Sequence, residues 1–325
     1  MMIPSTKPVL RLLIPAVLLF LVTALPAAAK EGDPLAEGRE RHLNGHGFLP
    51  SHYVDDPFVS STFQTHVGGG MAVDLKTPFR DLDGNELYVL EGDLVVASLG
   101  LGYQQKLGQK WALGVKMLAL VRSGTSAESF LTEGADLDRQ GSLWARYRLK
   151  RSDKCQLTVG LDWSYSQVIY FTPKEFARHI HEGGSLEDAP LVIKSKVWTS
   201  RITADWARGL SPMFGVRVNV GFGLYEDPLA PGVSKGSHRV GILGEMDLKH
   251  TKAGLPIGVT LGYTQALPDD DPFTGLSGTL LGFWYSGKED FVVGVETGFM
   301  KMPVANQETD KVDAVFGIFT IRYYF

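Results

Sequence analysis

Charged side chains recur along this chain in alternation with apolar ones, and that spacing decides what they can do. Lys116, Arg146, Arg148, Asp162, Arg201, Asp205, Arg217, Glu245, Glu296 and Arg322 mostly stand between apolar or small neighbours. In a strand, successive side chains point to opposite faces, so these charges would share one surface and the apolar residues the other. Charges of both signs on one enclosed surface have two uses. They fill an interior with ion pairs and hydrogen bonds, or they line an aqueous path and select solutes by charge. The residue types are compatible with both.

Other chemistry-bearing groups are more scattered. His42, His46 and His52 lie close together, but their spacing fits no metal motif, and they are read as solvated. Asp269-Asp270-Asp271 offers hard oxygen ligands of the kind that hold Ca²⁺, or simply an acidic turn before Pro272. Ser237-His238, at an outer strand end, is a neighbouring pair with the residue types of a nucleophile and its base. The run from Thr172 to Gly183 carries a helix signature: Thr172 as N-cap, Pro173 at the first position, Glu175 completing a capping box and Gly183 as the stop. His179 and His181 are two apart, so a helix would aim them in different directions. No metal or cofactor is expected.

The elements that must position the charges are strands. From Phe63 to the end, twelve segments alternate with a period of two. The clearest is Leu157, Val159, Leu161, Trp163 and Tyr165 against Gln156, Thr158, Gly160, Asp162 and Ser164. A composition of 44% hydrophobic residues with 37 glycines suits strands joined by turns. A soluble sandwich also has a two-residue period, but the connectors here alternate in length. Short ones fall near 106–110, 151–154, 207–213, 250–256 and 286–290. Long polar ones fall near 75–87, 122–141, 168–196, 225–239, 266–277 and 301–312. Aromatic residues collect on the apolar face beside the short connectors: Tyr103, Trp111, Tyr147, Trp206, Phe214, Tyr285, Phe291, Tyr323 and Phe325. Short turns on one side, long loops on the other and an aromatic girdle are the marks of a transmembrane antiparallel barrel. In hydrocarbon an open sheet edge leaves backbone groups unpaired, so the sheet is expected to close.

Both chain ends fit that picture. Residues 1–29 carry Lys7 and Arg11, a fourteen-residue apolar run from Leu12 to Leu25, and Ala27-Ala28-Ala29. That is the pattern of a cleaved signal peptide, and the run is short of the roughly 20 residues a spanning helix needs. Cleavage after Ala29 removes two positive charges from a chain whose formal net charge is −4. An acidic mature protein is a poor partner for nucleic acid. The single Cys155 forms no internal disulfide. Residues 30–60 show little periodicity and are read as a periplasmic segment or a plug in the lumen, before a barrel over 61–325. At the other end, Phe319, Ile321, Tyr323 and Phe325 share one face. This resembles the C-terminal strand of bacterial outer-membrane β-barrels, in which a terminal Phe after alternating apolar residues is read by the barrel-assembly machinery. The segment from Ser123 to Gly134 is faintly similar to loops of outer-membrane proteins linked to aromatic-compound degradation. The resemblance implies an all-β barrel of about twelve strands in the outer membrane of a Gram-negative bacterium, surrounded by lipid. It implies a passive channel or transporter for an unknown small solute, and not an enzyme. A lipid-modifying enzyme and a structural or adhesion barrel are the alternatives.

Overall fold

The computed structural model describes residues 39–80, 86–127, 129–130, 134–171, 173–185, 191–226, 232–268, 276–303 and 311–325. The expected signal peptide and Asp269-Asp270-Asp271 lie outside the described residues. Two short strands, β1 (His42–Leu43) and β2 (His46–Gly47), form a hairpin. Twelve long ones follow: β3 (Thr62–Arg80), β4 (Glu86–Leu107), β5 (Trp111–Gly124), β6 (Ala135–Arg151), β7 (Cys155–Phe171), β8 (Val192–Gly209), β9 (Phe214–Glu226), β10 (Ser234–Asp247), β11 (Ile257–Pro268), β12 (Leu276–Tyr285), β13 (Phe291–Pro303) and β14 (Lys311–Tyr324). Each pairs antiparallel with the next, and β14 pairs with β3 to close the barrel. A helix, α1 (Pro173–His181), stands in the β7–β8 connection and ends before Gly183, whose φ of +85° suits a glycine stop.

The two-residue rhythm maps onto inside and outside. Phe319 pairs with Val67 on one side and Val295 on the other, and all three are exposed on the outer wall. Met117 and Phe222 are 66% and 65% exposed. On the same two strands, inward-facing Ala112, Arg217 and Asn219 are at or near zero. A continuous apolar exterior on a closed barrel belongs to a protein whose solvent is lipid. Rings pair at the short-turn rim: Trp111 with Tyr147 at 4.7 Å, Phe291 with Tyr323 at 4.8 Å, and Tyr103 with Phe325 at 6.0 Å. Toward the other rim, Trp198 packs on Trp163 and Tyr165 at 4.8 and 4.3 Å. Outward charges at Arg139, Lys194, Lys196, Lys301 and Asp313 mark where the apolar belt gives way to water.

Two boundaries differ from the sequence expectation. The strands run well into what read as long loops; β4 begins at Glu86 and β10 at Ser234. Past the belt both faces meet water, so the alternation fades while the backbone ladder continues. The second difference is a bulge in β6 between Arg148 and Lys150. One extra residue shifts the faces. Lys150 therefore pairs with Leu157 on the outer side and is exposed, whereas Arg151 pairs with inward Gln156. Past Arg146 and Arg148, therefore, it is Arg151 rather than Lys150 that continues the inward face.

The lipid-facing assignment has a measurable consequence. Met117→Lys places an ammonium on the apolar belt and is expected to lower stability by about 2–4 kcal/mol, the cost of a cation deep in the lipid face of such barrels. Urea unfolding in lipid vesicles reads it; a cost near zero would remove Met117 from the lipid.

Candidate functional site

Residues 39–61 run inside the barrel as a strap that enters at the short-turn end, rises and returns to the start of β3. Asn44 and Gly45 carry φ of +53° and +81°, the two left-handed residues of a tight hairpin turn, so β1 and β2 fold on themselves. This hairpin seals the short-turn end. The Asn44 backbone N–H donates to Asp153 O at 2.5 Å and its side-chain amide to Leu210 O at 3.1 Å, while Gly45 lies against Pro212. Arg41 donates to Glu289 O at 3.2 Å and sits 5.0 Å over the Tyr324 ring. Leu43, Phe48 and Phe58 pack with Ala207; Leu49 packs with Trp284, Val292 and Tyr324.

Higher in the lumen the strap is held by charge. Glu245 accepts from the Leu49 N–H at 2.6 Å and from Arg217 Nε at 2.5 Å, and Arg217 Nη2 donates to Leu49 O at 2.5 Å. Glu296 accepts from Ser51 Oγ and the His52 N–H, both at 2.7 Å. Val54 is buried among Leu243, Leu280 and Met300. Arg239 donates to Tyr53 O and lies 3.9 Å from Asp55. Arg322 Nη1 donates to Asp56 at 2.7 Å. Gln156 and Thr158 both donate to Pro57 O at 2.5 Å. A strap that buries backbone groups must satisfy them, and here the barrel wall supplies the partners.

The strap leaves part of the lumen empty. A cavity of about 450 Å³ remains between Tyr53, Asp55 and Asp56 of the strap and the wall. Five cations line it, Lys116, Arg146, Arg201, Arg239 and Arg322, against three carboxylates, Asp55, Asp56 and Asp162. Arg146 pairs with Asp162 and lies 3.7 Å from Asp205 behind it; Arg201 lies 3.5 Å from the same Asp162. Burial pushes the Asp55 carboxyl up, but Arg239, Arg146, Arg201 and Lys116 outweigh it, and the net displacement is below the ordinary range. His52 is held well below the usual histidine value, first by burial and then by Lys116, so its ring is neutral at pH 7. That ring stands 4.5 Å from the buried His66 ring.

The ten charges read from the sequence fall into different surroundings. Lys116, Arg146, Asp162, Arg201 and Arg322 border the cavity. Arg217, Glu245 and Glu296 are at most 3% exposed, covered by the strap they hold. Asp205 is sealed beneath Arg146, and Arg148 sits at the short-turn end, its N–H donating to Lys110 O. Sequence reasoning did not reach Asp55, Asp56, Gln64, His66, Trp144 or Arg239, which also line the cavity. Arg239 lay within an expected loop, and Asn44-Gly45 was the available signal for the strap's hairpin. Of the three histidines expected in solvent, His42 and His52 are half-buried and His46 is enclosed. His46 is fully buried, its Nδ1 3.2 Å from Pro212 O and its ring 4.7 Å from Phe48. The apolar strap removes it from water. Ser237 pairs with Gly223 and Pro268 in β10, and His238 is the next residue, so their side chains leave opposite faces of one strand. They cannot form a nucleophile–base pair.

No protein-family model matches this sequence, and no curated protein matches it. Among solved structures, the chain is similar to an outer membrane channel from Pseudomonas putida F1, at 13% identity and a TM-score of 0.52. The match covers 86% of this chain and 100% of that one. It also aligns with the NanC porin, at 9% identity and a TM-score of 0.46 over 80% of this chain and 100% of that one. A third match is the translocator domain of the autotransporter NalP from Neisseria meningitidis, at 11% and 0.46 over 84% and 91%. The last two scores are too low to bear on the fold. The first likeness, with the closed twelve-stranded barrel, gives the fold of bacterial outer-membrane β-barrels.

Proposed function

We propose that this chain is a passive outer-membrane channel for small solutes, with a lumen of mixed charge. One observation carries the proposal: a closed, lipid-faced barrel encloses a cavity of about 450 Å³ lined by five cations and three carboxylates, where a filled structural barrel would hold only paired side chains. The resemblance in fold to a protein described as an outer membrane channel supports it. In this proposal residues 1–29 direct export and are removed after Ala29, and the plug expected within 30–60 is the strap over residues 39–61. Phe319, Ile321 and Tyr323 on the outer face of β14, with Phe325 just after it, present the assembly signal. A lipid-modifying enzyme is disfavoured by the opposed directions of Ser237 and His238. Purified full-length protein in planar lipid bilayers tests the channel directly. Stepwise conductance in KCl is expected, and Ser237→Ala is expected to leave it unchanged. Absence of any current, both from the native protein and after the strap has been released, would overturn the proposal.

A further inference from the structure

The cavity wall is uneven, and its unevenness points to a ligand. Lys116 on β5 pairs in register with Ser142 on β6, Ser142 with Ser164 on β7, and Ser164 with Thr199 on β8. All four face the lumen and line the cavity, as one row across four adjacent strands. Strands lie about 4.8 Å apart, so the row is a shelf roughly 14 Å wide. Arg201, two residues beyond Thr199 on β8, closes its far end. Every side chain on the shelf is a hydrogen-bond donor. Among the described residues, the hydroxyls of Ser142, Ser164 and Thr199 make no hydrogen bond, and no carboxylate lies within 4.0 Å of the Lys116 ammonium. Arg201 must share Asp162 with Arg146, and its Nε is buried without a partner. The remaining cations are better matched: Arg322 to Asp56 and Gln64, Arg239 to Tyr53 O and Asp55. The surplus positive charge is therefore local to the shelf. Leu118 and Trp144 stand next to it on β5 and β6, and Ala266 and Leu276 line the cavity from β11 and β12 across the lumen.

Resting on the channel assignment, we propose that this shelf is a binding site for a small organic carboxylate. The carboxylate would accept from Lys116 and the nearest hydroxyls, those of Ser142 and Ser164, with Arg201 adding positive charge from the far end of the shelf, and a short apolar body would lie against Trp144. A charge-assisted bond to Lys116 supplies most of the affinity, and the neutral hydroxyls add less each. A cation of the same size would meet the surplus charge and be excluded.

Butyrate and its uncharged amide, butyramide, are the probes. Saturation-transfer NMR on the detergent-solubilised full-length protein is expected to show saturable butyrate binding and none for butyramide. Lys116→Met is expected to weaken butyrate at least tenfold, Ser164→Ala two- to fivefold, and Lys116→Arg is expected to restore binding. Heat-dependent gel mobility confirms that each variant is folded. Equal binding of both probes, or butyrate binding unchanged in Lys116→Met, overturns the site. Bilayer current separates this result from the channel assignment. Current without butyrate binding sinks the carboxylate site alone, whereas butyrate binding with no current from any variant sinks the channel and leaves the site standing.

Discussion

Replacing Glu245 with alanine is expected to free the strap and raise the conductance of the reconstituted protein several-fold. Glu245 is 3% exposed and is the single carboxylate that ties three things together: the Leu49 N–H at 2.6 Å, Arg217 Nε at 2.5 Å and, through Arg217 Nη2, the Leu49 carbonyl at 2.5 Å. Removing it leaves a guanidinium buried without its partner. Breaking a buried pair on one side costs about 3–5 kcal/mol. The barrel ladder does not depend on this residue, because its backbone bonds run between strands. The strap can leave and rehydrate Arg217, so the cost is relieved by strap release rather than by unfolding. Limited proteolysis from the short-turn side should then cut within residues 39–61, where the native protein resists. Glu245→Gln keeps an acceptor for Leu49 and is expected to show a smaller gain. Unchanged current together with unchanged protease resistance would show that the strap does not occlude the path.

The barrel was legible in the sequence for a physical reason. Between Leu157 and Tyr165 the two faces meet different solvents, lipid and lumen, so selection for each face writes a two-residue alternation. The same reasoning fails where both faces meet the same solvent. The outer part of β10 is a paired strand past the apolar belt, its alternation is weak, and Arg239 was left in a loop although it reaches the strap. The bulge at Arg148 and Lys150 was invisible because a single inserted residue resets the register without changing composition.

The site was harder to read than the fold. Lumen-facing charges could be found by parity alone, but parity does not say which are covered. Glu296 meets Ser51, and Arg322 meets Asp56, across more than 240 positions of sequence. Those contacts exist only once β14 has closed on β3 and the strap has folded back. Residues 39–61 have no period because they touch different strands in turn: β9 and β10 at Leu49, β13 at Ser51 and His52, β14 at Asp56, β7 at Pro57. A segment shaped by its surroundings carries the record of those surroundings, not a rhythm of its own.

A disulfide between strap and wall provides the sharper test of strap movement, and it is expected to reverse the gain of Glu245→Ala. Gly241 on β10 faces the lumen, and a Cβ built on it lies 3.7 Å from Val54 Cβ. Disulfides have a Cβ–Cβ separation of about 3.8 Å, so Val54→Cys with Gly241→Cys satisfies the distance without moving backbone. Val54 is fully buried, which shields the bond from casual reduction. The closed loop would span residues 54 to 241, and the chain-entropy model gives about 5 kcal/mol for a loop of that length. A covalent bond cannot part when the strap lifts, so it should hold the strap down even with its carboxylate anchor gone. The native Cys155 is replaced by serine so that only one pairing is available. In this background the oxidised Val54→Cys, Gly241→Cys, Glu245→Ala protein is expected to conduct like the native channel. Adding dithiothreitol during the recording should raise the current to the level of Glu245→Ala alone, and washing in an oxidant should lower it again. A current that ignores the redox state, with the crosslink verified on a non-reducing gel, would mean that ions bypass the strap and that Glu245 acts on conductance by another route.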